Sequence, residues 1–490
     1  MKQLRNIYSK LWEKQVSPLG LSVFRIVYST VLFFEVLFIY RYKELFFDPI
    51  PFLQPAQMDV ALPLICWMLT IICLLIGYKT RYAAIINYVF TLVFMSTLTS
   101  FEYHMHYAYA GINFLLIFLP ISNLLSLDSL KNPHIRKSAS SVYYFLPVFI
   151  GVALVYFDSI FFKLSSQFWT KGMGMWLPAS LPQASTFKFQ WLLDSELLSR
   201  AFGYFTFFFE FIFLFTFWFK KFRIPLLISG IVLHFGILVT FSIPLFAWGV
   251  IAFYFLLVPI SFWNNCLAFL GKSITTVEWR HGKHLAAKEK KYLGVFIVIV
   301  VVFQLNITIN YSLTLKPFSD KIHNNLPMAT QLRRVEKGLR TVSRKMLGIT
   351  SHGVFMDGHF NEYNHLIAVT YQNNEGEGWL PIIDKNGEMG AYLSGANWVN
   401  WTFRVNSPKI KMKRLENGII RYTAFWAKKN NISLSNTTFK ILVKKTDLPK
   451  NMDWEPGFLK RQRNKPWQEA GTFSWVNGKP NFNLQDIERM

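Results

Sequence analysis

Cysteine is nearly absent from this chain. Three residues in 490, Cys66, Cys73 and Cys266, all lie in or beside apolar runs. That excludes a disulfide framework and a CxxC metal site, so any exported part folds without bridges. Charge is scarce as well: 16% of residues are charged, where a soluble domain carries roughly 25%, while 52% are hydrophobic and 18% aromatic. An ordinary soluble protein is thereby excluded. Acidic residues are the scarcer sign, 28 against 52 lysines and arginines, for a formal charge of +24. The basic residues stand in short tracts between apolar runs, where they orient helices in a bilayer, so no nucleic-acid partner is expected. The sequence also has no HExxH, phosphate-binding glycine loop, nucleophile elbow or paired-carboxylate pattern.

Long apolar runs fill the first 310 residues. Hydrocarbon ~30 Å thick needs about 20 apolar residues per helix, and candidates fall near 19–40, 60–77, 82–100, 107–126, 142–162, 202–219, 224–242, 246–263 and 292–310. The first opens basic like a signal peptide, but it is too long, contains Arg25 and Glu35 and lacks a small-residue cleavage pattern, so it reads as a retained span. The fold expected is a polytopic α-helical membrane protein of about nine transmembrane helices (residues 1–310) followed by a C-terminal β-rich extracytoplasmic domain (residues 311–490). With nine spans, the N-terminal tail, "YKTRY", "LKNPHIRKSAS", "KKFR" and the basic loop after 271 share one side, the cytoplasmic one. Residues after 310 then lie outside. There "HLIAVTYQ", "GWLPIID" and "IIRYTAFWA" alternate like strands between "NNEGEG" and "DKNGEMG" turns, after a basic amphipathic helix around "MATQLRRVEKGLRTVSRKML".

Ionisable side chains inside spans are expensive and mark a pairing or a site. Six stand out: Arg25, Glu35, Asp158, Lys163, Glu210 and His234. Arg25 lies near the cytoplasmic end of its span, where snorkelling explains it. Glu35 and Glu210 are deeper, and each meets a partner on a neighbouring helix or serves a site. In "YFDSIFFKLSSQFW", Tyr156, Ser159 and Lys163 share one stripe at i, i+3 and i+7. The lysine is either a boundary residue or a reactive amine. His104, His106 and His234 can reach the same outer half of the bundle. In the outer region, "SHGVFMDGHFNEYNH" places His352, Asp357, His359, Glu362 and His365 at spacings that suit no common helix or strand face, so no metal site is expected.

These pieces, in this order, resemble the vitamin K-dependent γ-carboxylase and its bacterial relatives that carry the horizontally transferred transmembrane (HTTM) domain. "LSVFRIVYSTVLFFEV" resembles the first-helix pattern of an arginine followed ten positions later by an acid, here Arg25 and Glu35. "HMHYAYAG" resembles the family's histidine before tyrosines and a glycine, which favours His106 over His104. "VYFDSIFFKLSSQFW" resembles the tract of the catalytic lysine, on Lys163; "LHFGILVTFSIPLFAWG" resembles a later histidine tract, on His234; Glu210 in "FFFEFIF" has an acidic counterpart. The chain departs from animal members in carrying Phe162 where they have a second lysine, in lacking cysteines for their outer disulfide, and in a shorter outer domain.

The resemblance implies a γ-glutamyl carboxylase-like carbon–carbon lyase in a bacterial inner membrane. A reduced quinone, O2 and CO2 are cosubstrates, and glutamate of an exported peptide or protein is modified on the outer face. Lys163 and His106 become catalytic candidates, His234, Tyr156 and Glu210 cofactor-binding ones, and Arg25 and Glu35 structural intramembrane residues; no metal is implied. The alternative is a non-enzymatic membrane subunit that holds a secretion or peptide-maturation complex together. A transporter built on Glu35, Glu210 and His234 is third, and no inverted repeat supports it.

Overall fold

The computed structural model describes residues 12–98, 101, 103–132, 138–241, 243–269, 285–324, 329–362, 365–390, 392–406 and 410–490. The basic tracts at 1–11, 133–137 and 270–284 lie outside the described residues. All nine apolar runs contain helix. The bundle consists of α1 (Leu19–Arg41), α2 (Ala61–Ile76), α3 (Thr80–Thr97), α4 (His104–Leu116), α5 (Val142–Lys163), α6 (Glu196–Thr216), α7 (Lys220–Thr240), α8 (Pro244–Leu257) and α9 (Ala287–Tyr311).

Nine full spans are not what the lengths support. Among the described residues five helices, α1, α5, α6, α7 and α9, are long and apolar enough to cross a membrane, or six if α8 and Ile260–Cys266, bent by 96°, form one broken span. Pro259 lies at that break and cannot continue the helix. At 1.5 Å per residue, α2 reaches about 24 Å and α4 about 20 Å, both short of the hydrocarbon core. The expected fourth run, 107–126, stops being helical at Leu116. What stands is a multi-pass membrane protein.

The central helix is α5, 83% buried, whereas α7 and α9 are 22% buried and turn Ile228, Val232, Phe235, Val298 and Val302 outward. Helices with such apolar outer faces suit lipid as solvent. Pro147 interrupts α5, and a π turn follows at Phe149–Ala153. An uncharged polar chain ties four helices together inside the bundle: Tyr28 donates to Asn113 (2.9 Å), Asn113 to Thr91 (2.7 Å), Thr91 to the Asn87 carbonyl (2.8 Å), and Trp67 to the Asn87 side chain (2.8 Å). Intramembrane hydrogen bonds of this kind hold helices together where apolar burial gives no preference.

Arg25 does not snorkel. It is fully buried, donates to the Leu125 carbonyl, and lies under the turn that ends α2 at Gly77. Gly77 has φ +70°, and a Cβ there would stand 2.2 Å from the guanidinium, so both backbone and space require glycine. Asp128 closes the same corner by accepting from the backbone of Lys79 and Thr80, 2.8 Å each. The two short strands β1 (Gln15–Val16) and β2 (Ala139–Ser140) pair at this end, and Lys290 at the start of α9 reaches Glu13 (3.3 Å).

The opposite end carries the C-terminal region. Basic α10 (Ala329–Leu347) forms as expected and lies against α3, α4 and α9. Beyond it an antiparallel sheet has strand order β4-β3-β5-β6-β7, with β3 His365–Asn373, β4 Gly376–Trp379, β5 Thr438–Lys445, β6 Gln468–Val476 and β7 Lys479–Leu484. Two helices, α11 (Tyr392–Asn406) and α12 (Met412–Lys429), pack with it through Trp398, whose indole donates to the Ile367 carbonyl (2.8 Å). The region is therefore mixed α and β. "HLIAVTYQ" is a strand as expected, but "IIRYTAFWA" is helix α12. It docks on the bundle through Arg200–Asp453 (2.7 Å), Trp454 to the Leu193 carbonyl (2.9 Å) and Arg421 to the Asp48 carbonyl (2.5 Å).

Candidate functional site

At the end of α5 facing the C-terminal region, Lys163 is 3% exposed and its ammonium donates to Glu210 of α6, itself 8% exposed. The same nitrogen lies 4.0 Å from the centroid of the Trp169 ring. Carboxylate and aromatic face share one cation, in a place where neither charge is tolerable unpaired. Trp169 is fastened in turn. Ser166 caps the Gln167–Thr170 turn, Asp357 accepts from the Ser166 hydroxyl (2.5 Å) and the Gln167 amide (2.7 Å), and the Trp169 indole donates to the Phe355 carbonyl (3.1 Å). Residues 349–357 thus form a strap over the lysine.

The strap is also tied below. Asp158, buried one turn and a half before Lys163, accepts from Thr308 of α9 (2.6 Å) and from the His352 amide (2.7 Å). The His352 ring stands 5.0 Å from that of His104, and its Nδ1 donates to the Thr350 carbonyl (2.9 Å). Burial, with His104 nearby, pushes the His352 imidazole down to about 3. Among the described residues no three His, Cys, Asp or Glu side chains could hold a metal ion. Asp357 and His352 serve the strap, and His359 accepts from the Met356 amide (3.1 Å).

Two turns before Lys163, the Tyr156 hydroxyl is 2.6 Å from that of Tyr254 and 3.5 Å from His234 Nε2. His234 Nδ1 contacts the Gly230 carbonyl at 3.0 Å, which leaves Nε2 to accept. Gly230 is required here, because a Cβ would meet the Tyr254 ring at 2.5 Å. Phe209 and Phe213, which flank Glu210 on α6, close around Tyr156.

Glu35 gathers a second group. It accepts from Tyr103, from Tyr109 (3.2 Å) and from His106 Nε2 (3.2 Å), all deeply set among α1 and α4. Beside them is a cavity of about 60 Å3 bordered by Glu35, Tyr103, His106, Phe246 and, from α11, Asn397 and Asn400. His106 Nδ1 and Asn397 Nδ2 are buried without a hydrogen-bond partner among the described residues. Phe246 is a shared wall: its ring is 6.1 Å from that of His234. The structure therefore joins Lys163 with Glu210, Tyr156 with His234, and Glu35 with His106, while Arg25 stays at the other end. Nothing in the sequence marks Tyr103, Tyr109, Tyr254 or Trp169, since tyrosine and tryptophan are ordinary in membrane proteins, and Asp158 stands out there as a charge without a role.

Fold and site define a multi-pass membrane protein whose buried charges and histidines collect under the capping C-terminal region. Residues 14–262, just over half the chain, match the HTTM domain, and the chain belongs to the HTTM domain family. That domain is associated with the vitamin K-dependent carboxylase family. No curated protein and no solved structure matches the chain. Lys163, Glu210, Tyr156, Tyr254, His234, Glu35, Tyr103, Tyr109 and His106 all lie within 14–262, whereas Thr308, Asn397, Asn400 and the strap lie outside it.

Proposed function

We propose that this chain is a γ-carboxylase-like membrane enzyme, which uses a reduced quinone, O2 and CO2 to modify glutamate of a peptide or protein on the extracytoplasmic face. The observation that carries the reading is the sealed Lys163–Glu210 pair one helix face above Tyr156 and His234. The donor set fits a quinol: an amine, a phenol and an imidazole, set among Phe209, Phe213 and Trp169. Lys163, Glu210, Tyr156 and His234 would hold it. The chemistry a bound quinol supplies is an oxidisable hydroxyl whose reaction with O2 yields a base strong enough for a glutamate γ-proton.

Lys163 accepts a proton only after handing its own to Glu210, since a buried amine serves as base in its neutral form. Moving that proton along the pair annihilates two buried charges and creates none. Trp169 and the strap keep water from the amine. At Glu35 and His106, the cavity has the size of a carboxyl group or one or two waters; Asn397 Nδ2 can donate to an oxygen there, and His106 Nδ1, the accepting nitrogen when Nε2 donates to Glu35, can take a hydroxyl or water proton. Extracytoplasmic orientation is supported by Lys79, Arg81, Lys131, Lys220, Lys221 and Arg223, which gather at the end away from the cap.

Purified protein given anaerobically reduced quinol, then oxygen, labelled CO2 and a glutamyl peptide should fix label, and Lys163→Ala should lower fixation by at least about 100-fold. No fixation by the wild type sinks the proposal. A structural reading has its own support, because Glu210 and Trp169 partner the Lys163 ammonium inside the protein. Full biological function in Lys163→Ala, with loss on truncation after residue 315, would favour a scaffold.

A further inference from the structure

A second cavity, of about 270 Å3, lies where the outer end of α1 meets α12. It is bordered by Arg41, Tyr42, Tyr422, Phe425, Trp426 and Lys429, and no carboxylate lines it. Arg41 is the last residue of its span, and the Lys429 ammonium stands 5.5 Å from the Phe52 and Phe425 rings. Neither cation has an ion-pair partner among the described residues. Tyr422 is 4% exposed, and its hydroxyl has no hydrogen-bond partner among the described residues. Burial raises this phenol well above its ordinary 10, so the hydroxyl keeps its proton and remains a donor. A buried donor without an acceptor, beside two unpaired cations, points to an anion.

We infer that this cavity seats the phosphate headgroup of an anionic phospholipid, held between Arg41 and Lys429 and hydrogen-bonded by Tyr422. The depth favours lipid over an acidic peptide. Phe34 and Leu37 are exposed on the same stripe of α1 as Arg41, at i, i+3 and i+7. Acyl chains can follow that stripe into the bilayer while the headgroup stays at the level where a span-ending arginine belongs. Phe425, stacked on Phe52 (5.8 Å) and tilted against Tyr42 (5.7 Å), forms the apolar floor between headgroup and glycerol.

The test is native mass spectrometry of the full chain in neutral detergent, titrated with phosphatidylglycerol, with phosphatidylcholine of the same acyl chains, with inorganic phosphate and with a glutamate-rich peptide. Wild type should retain phosphatidylglycerol over phosphatidylcholine, and Arg41→Gln/Lys429→Gln should weaken that retention by roughly 30-fold. Tyr422→Phe should weaken it about threefold without altering the lipid-free melting temperature, which separates binding from folding. Equal retention of the two lipids by wild type overturns the proposal, as does an unchanged preference in the double variant. Phosphate or peptide bound in an Arg41-dependent way while phosphatidylglycerol is not also overturns it, by assigning the site to a soluble ligand.

Discussion

Removing one member of the Lys163–Glu210 pair leaves the other charge buried and unmatched, a loss of about 3–5 kcal/mol in comparable buried pairs. Lys163→Met and Glu210→Gln should therefore each lower the melting temperature in detergent, while Lys163→Met/Glu210→Met should recover most of the loss. If the double variant melts as low as the worse single one, the pair is not an isolated charge couple. The recovered double variant also gives a folded protein in which missing activity reports chemistry alone. At this scale the sequence was most legible for charge. Lys163, Glu210, Glu35 and His106 stood out because apolar runs carry few ionisable groups. Their partners Tyr103, Tyr109 and Tyr254 did not, because an uncharged aromatic in a membrane helix has many ordinary uses. Arg25 was visible but misjudged: its position near a helix end suggested headgroups, whereas a carbonyl in the 122–126 turn satisfies it inside the protein.

Among the elements, the strap at residues 349–357 is the one with a built-in pH response. His352 is held neutral, so its docking stability is fully present above its ordinary value of 6.5 and is lost as pH falls toward about 3. The loss is at most ~1.4 kcal/mol per pH unit. The protection factor across 349–357, which is exchange corrected for its intrinsic base catalysis, should fall between pH 7 and 4.5 in the wild type and much less in His352→Gln; any remaining slope belongs to Asp158 and His104, which face the same point. A protection factor indifferent to pH in the wild type would refute this. Helix positions were readable from apolar runs, yet α2 and α4 are too short to span, because polar contacts through Asn87 and Asn113 let them pack on neighbours. Helix α12 was misread for a different reason. Over nine residues "IIRYTAFWA" fits period two, and only the longer window shows burial at Leu415, Gly418, Ile419, Tyr422 and Ala427, which is helical.

For the whole molecule, polarity is the main property: basic turns at one end and a cysteine-free α/β cap at the other. A membrane-impermeant thiol reagent should label a cysteine placed at Lys440 in intact cells and one at Lys221 only after permeabilisation, in a background lacking the three native cysteines. Reversed labelling would place the cap in the cytoplasm. This arrangement was legible as a distribution of charge along the chain. The docking of the cap onto Lys163 was not, since residues 200 or so apart in sequence meet there through a loop without periodicity.

The π turn in α5 sets the rotational phase of everything after it. One extra residue in a turn rotates the following helix by about 100° relative to regular α geometry. Tyr156, Asp158 and Lys163 all lie downstream, so their separate meetings with His234, Thr308 and Glu210 depend on a single insertion at Phe149–Ala153. Deleting Val152 would give a more regular helix and misalign three partnerships at once. Such a variant should remain helical by circular dichroism while losing carbon dioxide fixation, and fixation at the wild-type rate would show that the phase of α5 does not matter.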